Sequence, residues 1–219
     1  MASKEGGGGL PKSRLTWFVV FLLVQMVVVG VLVPSDFLVR QVQMEREQTA
    51  QWFGETMAEE LVAATNDRFN RWFVETGVVE AVRYHLIPSQ EERAAEPEMD
   101  GIANTVFPFV ETRLEVFWTV VYQSLQRAQL IAIWAPYMLP VWLPAIWHGF
   151  AVRRVKQLSY GYAAPNRFHA AVLVLAFLLT LVPAYLMAPL AIPPSVVPLW
   201  GFAVAWAGVV IVANLQKQL

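Results

Sequence analysis

Three histidines, His85, His148 and His169, are the first side chains to weigh for chemistry, because imidazole ligates metals and moves protons near neutral pH. None has a partner at the three- or four-residue spacing of a helical metal motif. His148 and His169 bracket one basic stretch and can meet at a common membrane edge, where ordinary interfacial hydrogen bonds are the expectation. The adjacent carboxylates Glu59-Glu60 and Glu91-Glu92 lie in acidic, polar surroundings that do not favour a perturbed pKa, so they read as solvated surface. The chain has no cysteine, which removes disulfides, thiolate zinc sites and cysteine nucleophiles together. Neither a G-x-x-x-x-G-K-S/T loop nor a G-x-G-x-x-G turn is present to cradle a phosphate. The expectation is a protein that is not an enzyme and holds no cofactor or metal.

The remaining candidates are contact residues. Arg153, Arg154, Lys156 and Arg167 crowd together without one acid between 149 and 168, interleaved with Tyr160, Tyr162 and Phe168. Such cations set membrane topology and attract anionic lipid, and a protein docking surface is their second use. Direct nucleic-acid binding is not expected, because four charges give only a small counterion-release term.

These residues must be positioned by elements that live in a membrane. Of 219 residues, 57% are apolar and only 15% charged, far from the balance of a soluble domain, and a net charge of −1 excludes a strongly basic nucleic-acid binder. Uncharged runs of membrane-spanning length fall at 15–33, 169–191 and 199–215. The first follows a tail, 1–14, with Lys4, Lys12, Arg14 and a flexible run of glycines at 6–9. Pro34 stands where a cleavable leader would have small residues, so an uncleaved anchor is expected. Between 115 and 150 the chain is apolar except for Arg127. An arginine at mid-membrane would cost about 2.5–3.5 kcal/mol. The second span is therefore set at 129–148, with Arg127 at the outer interface, where it can snorkel.

Four spans put residues 34–128 on one side and the basic loop 149–168 on the other, with 192–198 as a short outer turn. The basic loop and Lys217 lie inside and most of the acids outside, which obeys the positive-inside rule and makes both termini cytoplasmic. In a Gram-negative cell the outer segment is periplasmic. Val42, Trp52, Phe53, Met57, Leu61 and Val62 can share one helical stripe, and Phe69, Trp72 and Phe73 follow Thr65-Asn66-Asp67, which offers N-cap oxygens. Two or three helices are expected there, with Gly77 a left-handed stop and 88–101 an exposed acidic loop. Apolar positions from Phe107 to Leu125 recur at helical spacing, so one long helix should emerge from the membrane.

Within the spans, Gln25 is expected to make an interhelical hydrogen bond. Pro136, Pro140 and Pro144 lie on one face of the second span, each deleting a backbone hydrogen bond, so a bend or a docking face is expected. Gly201, Ala205 and Gly208, with Ala203 and Ala207 close by, permit close helix approach, by this chain or by a second copy in a homo-oligomer.

His148-Gly149, Arg153-Arg154, Gly161 and His169-Ala170 recur in order around the basic loop, and Trp72-Phe73-Val74-Glu75-Thr76-Gly77 stands in the outer segment. In these elements, from about Trp52 onward, the chain resembles the membrane proteins encoded beside conjugation genes on integrative conjugative elements and conjugative plasmids, grouped as domain of unknown function 4400. That family commonly carries an acid before the loop glycine, where this chain has His148. The resemblance implies a conjugative type IV secretion context, the inner membrane, and the coupling ATPase as a neighbour. It brings no catalytic residue.

The sequence thus predicts an all-α membrane protein with four transmembrane helices and a periplasmic helical segment between the first and second. Its expected role is a non-enzymatic inner-membrane subunit of a conjugative DNA-transfer system, in contact with membrane lipids and with the coupling ATPase or channel. A small transporter or channel component is the alternative. It would need a polar path built from Gln25, Arg127 and the proline face.

Overall fold

The structure, a computed structural model, describes residues 16, 20, 24–25, 28–87, 100–159 and 164–215, and the backbone alone for 100–105. Among the described residues it is all-helical. Of the first expected span, 15–33, the described positions from Thr16 to Leu32 are helical. Pro34, in extended conformation (φ −66°, ψ 141°), separates this helix from α1, Ser35–Phe53, since a proline disfavours helical geometry in the residue before it. Gly54, at φ 88°, stops α1 and opens α2, Glu55–Phe69. The stripe from Val42 to Val62 is therefore shared by two helices. A π-helical turn, Asn70–Val74, leads to Gly77, which adopts the expected left-handed conformation (φ 73°) before α3, Val78–Leu86.

Thr65-Asn66-Asp67 caps nothing, because α2 runs through it. Thr65 is buried and its Oγ1 donates to the Leu61 carbonyl at 2.7 Å, the bond by which a threonine is accommodated inside a helix. Asp67 instead pairs with Arg71 at 2.8 Å on the surface.

The dominant element is α4, Asp100–Leu158, 59 residues without interruption. Residues 88–99 of the expected acidic loop lie outside the described residues, and by Asp100 the helix is under way. After it come α5, Pro165–Met187, and α6, Val196–Ala213. Among the described residues, three helices are long and apolar enough to cross a membrane: the stretch Val106–Leu158 of α4, then α5 and α6. The chain turns between α5 and α6 at 188–195, earlier than the 192–198 expected. The basic loop expected at 149–168 is likewise trimmed at both ends, because Arg153, Arg154 and Lys156 continue α4 and Pro165 already begins α5. A proline in the first turn lacks only an N–H that would have no helical partner there.

Packing divides along α4. Its first half receives α1, α2 and the end of the helix before Pro34: Val116 and Val120 bury against Val29, Leu38 and Val33. Phe69 and Phe73 meet Trp118 and Tyr122 with ring centroids 5.7–6.1 Å apart. The Tyr122 hydroxyl donates to Asn66 Oδ1 at 2.8 Å. Farther along, Phe53 packs edge-on against Trp134 at 5.4 Å. The second half of α4 lies along α6, with Trp142 Nε1 donating to the Gly201 carbonyl at 2.9 Å and Lys156 reaching the end of α6. Trp200 Nε1 joins α6 to α5 through the Leu178 carbonyl at 2.9 Å. Leu143, Trp147, Leu173, Phe177 and Trp206 are all more than 60% exposed, large apolar side chains of the kind that face lipid or a partner.

Candidate functional site

The polar centre of the molecule lies where α1 meets α4 and the end of α5. Arg127, 1% exposed, does not snorkel. Its Nε donates to Glu45 Oε1 at 2.8 Å, and Nη2 donates to Glu45 Oε2 at 3.1 Å. The remaining N–H groups point at the end of α5 and the turn after it, with Nη1 donating to the carbonyls of Tyr185, Leu186 and Ala188 and Nη2 to that of Leu190. All five guanidinium donors are thereby used. The ring of Tyr185 lies 5.3 Å below the guanidinium carbon.

The arrangement answers two physical demands at once. A charge removed from water needs a counter-charge and full hydrogen bonding. A helix end needs donors for its last carbonyls and carries a partial negative charge that a cation offsets. Gln25 Nε2 serves the Ala184 carbonyl at 3.4 Å, Ser124 Oγ the Leu186 carbonyl at 2.9 Å, and Arg127 the rest. Gln123 Nε2 donates to Glu45 Oε2 at 2.7 Å, and Gln41 Oε1 accepts from the Ala191 amide at 2.8 Å. One carboxylate on α1, three side chains on α4 and the carbonyls closing α5 form a single buried latch.

Sequence reading had Arg127 at the interface and counted Glu45 only among the acids of the expected outer segment. The pairing nevertheless leaves a trace in the sequence. No Asp or Glu occurs from 116 to 219, so a buried arginine in that half must take its carboxylate from upstream. Glu45 lies seven residues after Leu38 and four before Thr49, on the face of α1 that all three bury.

A second polar knot closes the opposite end of the bundle. Lys156 Nζ donates to Asn214 Oδ1 at 2.9 Å and to the Ala213 carbonyl at 3.3 Å, while Asn214 Nδ2 donates back to the Val210 carbonyl at 2.8 Å. Lys156 thus caps α6, and Asn214, which sequence reading did not single out, is buried. Of its basic companions, Arg154 and Arg167 are exposed and Arg153 is half-buried.

Gly201 is buried, and a Cβ there would lie 2.7 Å from Met138 Sδ, so the close approach is made by α4 of the same chain. Gly208 has nothing within 4 Å of such a Cβ, and Ala205 is half-buried. Ala207 is fully buried. Pro136, Pro140 and Pro144 lie on an exposed face, and the helix continues through all three. The histidines are all exposed; His85 Nδ1 is 2.9 Å from the Ala81 carbonyl and His169 packs on Phe168. Glu59 and Glu60 are exposed, and Glu91 and Glu92 lie outside the described residues.

Residues 30–216 match a family model described as IncC plasmid conjugative DNA transfer protein DtrJ-like. The chain belongs to the DtrJ-like family. The match takes in Glu45, Arg127, Lys156 and Asn214 and each of α1 to α6. Membership establishes the conjugative DNA-transfer context that the sequence motifs suggested, under a different family description from the grouping they resembled. No curated protein and no solved structure matches the chain.

Proposed function

We propose that this DtrJ-like protein is a non-enzymatic inner-membrane subunit of a conjugative type IV secretion machine, carried on a plasmid or an integrative conjugative element, that holds the coupling ATPase or the channel. The carrying observation is family membership over residues 30–216. The side-chain chemistry supports a scaffolding role: Arg127, Glu45, Gln123, Lys156 and Asn214 are spent on joining helices to one another. Arg127, which a transport path would have to use, has every donor bonded within the protein. The exposed apolar faces of α4 to α6 offer a partner its contact surface, and the end of α4 that carries exposed Arg154 beside half-buried Arg153 is the docking point nearest a cytoplasmic ATPase.

Purification of the tagged protein from donor cells in mild detergent, followed by identification of what accompanies it, tests the assignment. A coupling ATPase or channel subunit should co-purify, and recovery of the protein alone from transfer-competent cells would sink the proposal.

Orientation is tested separately. If α1 to α3 are periplasmic, Glu59→Cys should react with a membrane-impermeant maleimide in intact cells and Ser159→Cys should not. Both positions are exposed, and the native chain adds no thiol background. Labelling of Ser159→Cys in intact cells would reverse the proposed topology.

A further inference from the structure

Between the ends of α4, α5 and α6 lies a cleft of about 510 Å³, lined by His148 from α4, Arg167 and Val174 from α5, and Trp206, Val210 and Asn214 around the end of α6. Its volume falls within the roughly 300–1,000 Å³ of small-molecule sites. The lining is asymmetric. Arg167 and His148 are exposed at one end, whereas Val174 and Trp206, 39% and 62% exposed, open the apolar part sideways onto the surface of the bundle.

We propose that this cleft binds one anionic phospholipid, its phosphate at Arg167 and an acyl chain against Val174, Trp206 and Val210. Three observations select that occupant. Arg167 has no acidic partner among the described residues, and no acid exists in the sequence from 116 onward to provide one nearby, so its exposed guanidinium is free to take an anion from outside this half of the chain. The cleft's apolar lining includes Val174 of α5 and Trp206 of α6, both exposed on the surface of the bundle, a side on which a lipid tail can enter. Tryptophan beside a cation is the pairing that membranes favour at headgroup depth, where the indole spans apolar and polar layers. A soluble anion would satisfy Arg167 and leave the apolar part of the cleft in water.

The test uses the full-length protein, purified in neutral detergent and stripped of lipid, with bound lipid counted by native mass spectrometry. Phosphatidylglycerol should be retained in preference to phosphatidylcholine. Arg167→Gln should cut that preference roughly fivefold, the value of one cation at an anionic surface. Val174→Trp, which fills the cleft from an exposed position, should lower retention of both lipids. Arg154→Gln, exposed but outside the cleft, should change neither. Equal effects of Arg154→Gln and Arg167→Gln would overturn the proposal in favour of diffuse surface attraction. So would saturation of the site by glycerol phosphate, which has no tail. Unchanged lipid retention in Arg167→Gln, together with loss of a co-purifying protein, would overturn it in favour of protein docking.

Discussion

Arg127→Met should lower the stability of the detergent-solubilised protein by about 3–5 kcal/mol, the usual result of removing one partner from a buried ion pair. The substitution strands the Glu45 carboxylate, 3% exposed at its side chain, with Gln123 as its remaining side-chain donor. It also strips donors from the carbonyls of Tyr185, Ala188 and Leu190 at the end of α5. Arg127→Lys should recover little, because an ammonium has three donors on a single point and cannot grip a carboxylate with one edge while serving a carbonyl cage with the other. Combining Arg127→Met with Glu45→Met should be less damaging than the two single losses added together, since no uncompensated charge remains. Thermal melting of the four variants measures all of this. A wild-type melting temperature for Arg127→Met would mean that the latch contributes nothing.

The next largest effect belongs to Gly149→Val. Even a single Cβ at this position would meet Val212 Cβ at 3.0 Å and the Val209 carbonyl at 3.2 Å, one a β-branched side chain and the other backbone, neither able to step aside. Overpacking of this kind costs about 1–3 kcal/mol, and here it would pry α6 from α4 beside the Lys156 cap. Gly208→Ala is the matched control, with open space around the added methyl. The clash predicts lower melting for Gly149→Val and an unaltered value for Gly208→Ala. Equal behaviour would show that the α4–α6 seam adjusts freely.

What the sequence revealed and what it hid follow from the range of the interactions. Gly77 was legible because a left-handed stop is a property of one residue and its neighbours. The long helix from Phe107 through Leu125 was legible because apolar spacing repeats within one turn. The shift of the α5–α6 turn to 188–195 was not, because Pro189 to Ala191 are apolar enough to read as membrane and are placed instead by the side chains of Arg127 and Gln41, 63 and 150 residues away. Thr65 misled for a related reason: its hydroxyl looks like a cap, and only burial beneath Gln129, which donates to it at 3.0 Å, reveals it as a helix-interior residue. The conjugative context came from short motifs in fixed order and the family from the chain as a whole. The latch came from neither.

One consequence of α4 concerns angular phase. At about 100° per residue, Arg127, Met138, Trp142, Gly149 and Lys156 all fall within roughly 60° of one another around the helix axis. The latch, the Gly201 contact, the Val212 contact and the α6 cap therefore lie along one line, like teeth cut in a single rack. Inserting two residues between Arg127 and Met138 would rotate every tooth beyond it by about 200° and disengage α6 entirely. Inserting seven would return the teeth to within about 20° of their phase while sliding them some 10 Å along the axis. An unbroken helix of this length links the helices packed on its first half to the cationic end of its second, so a rotation at one is carried toward the other.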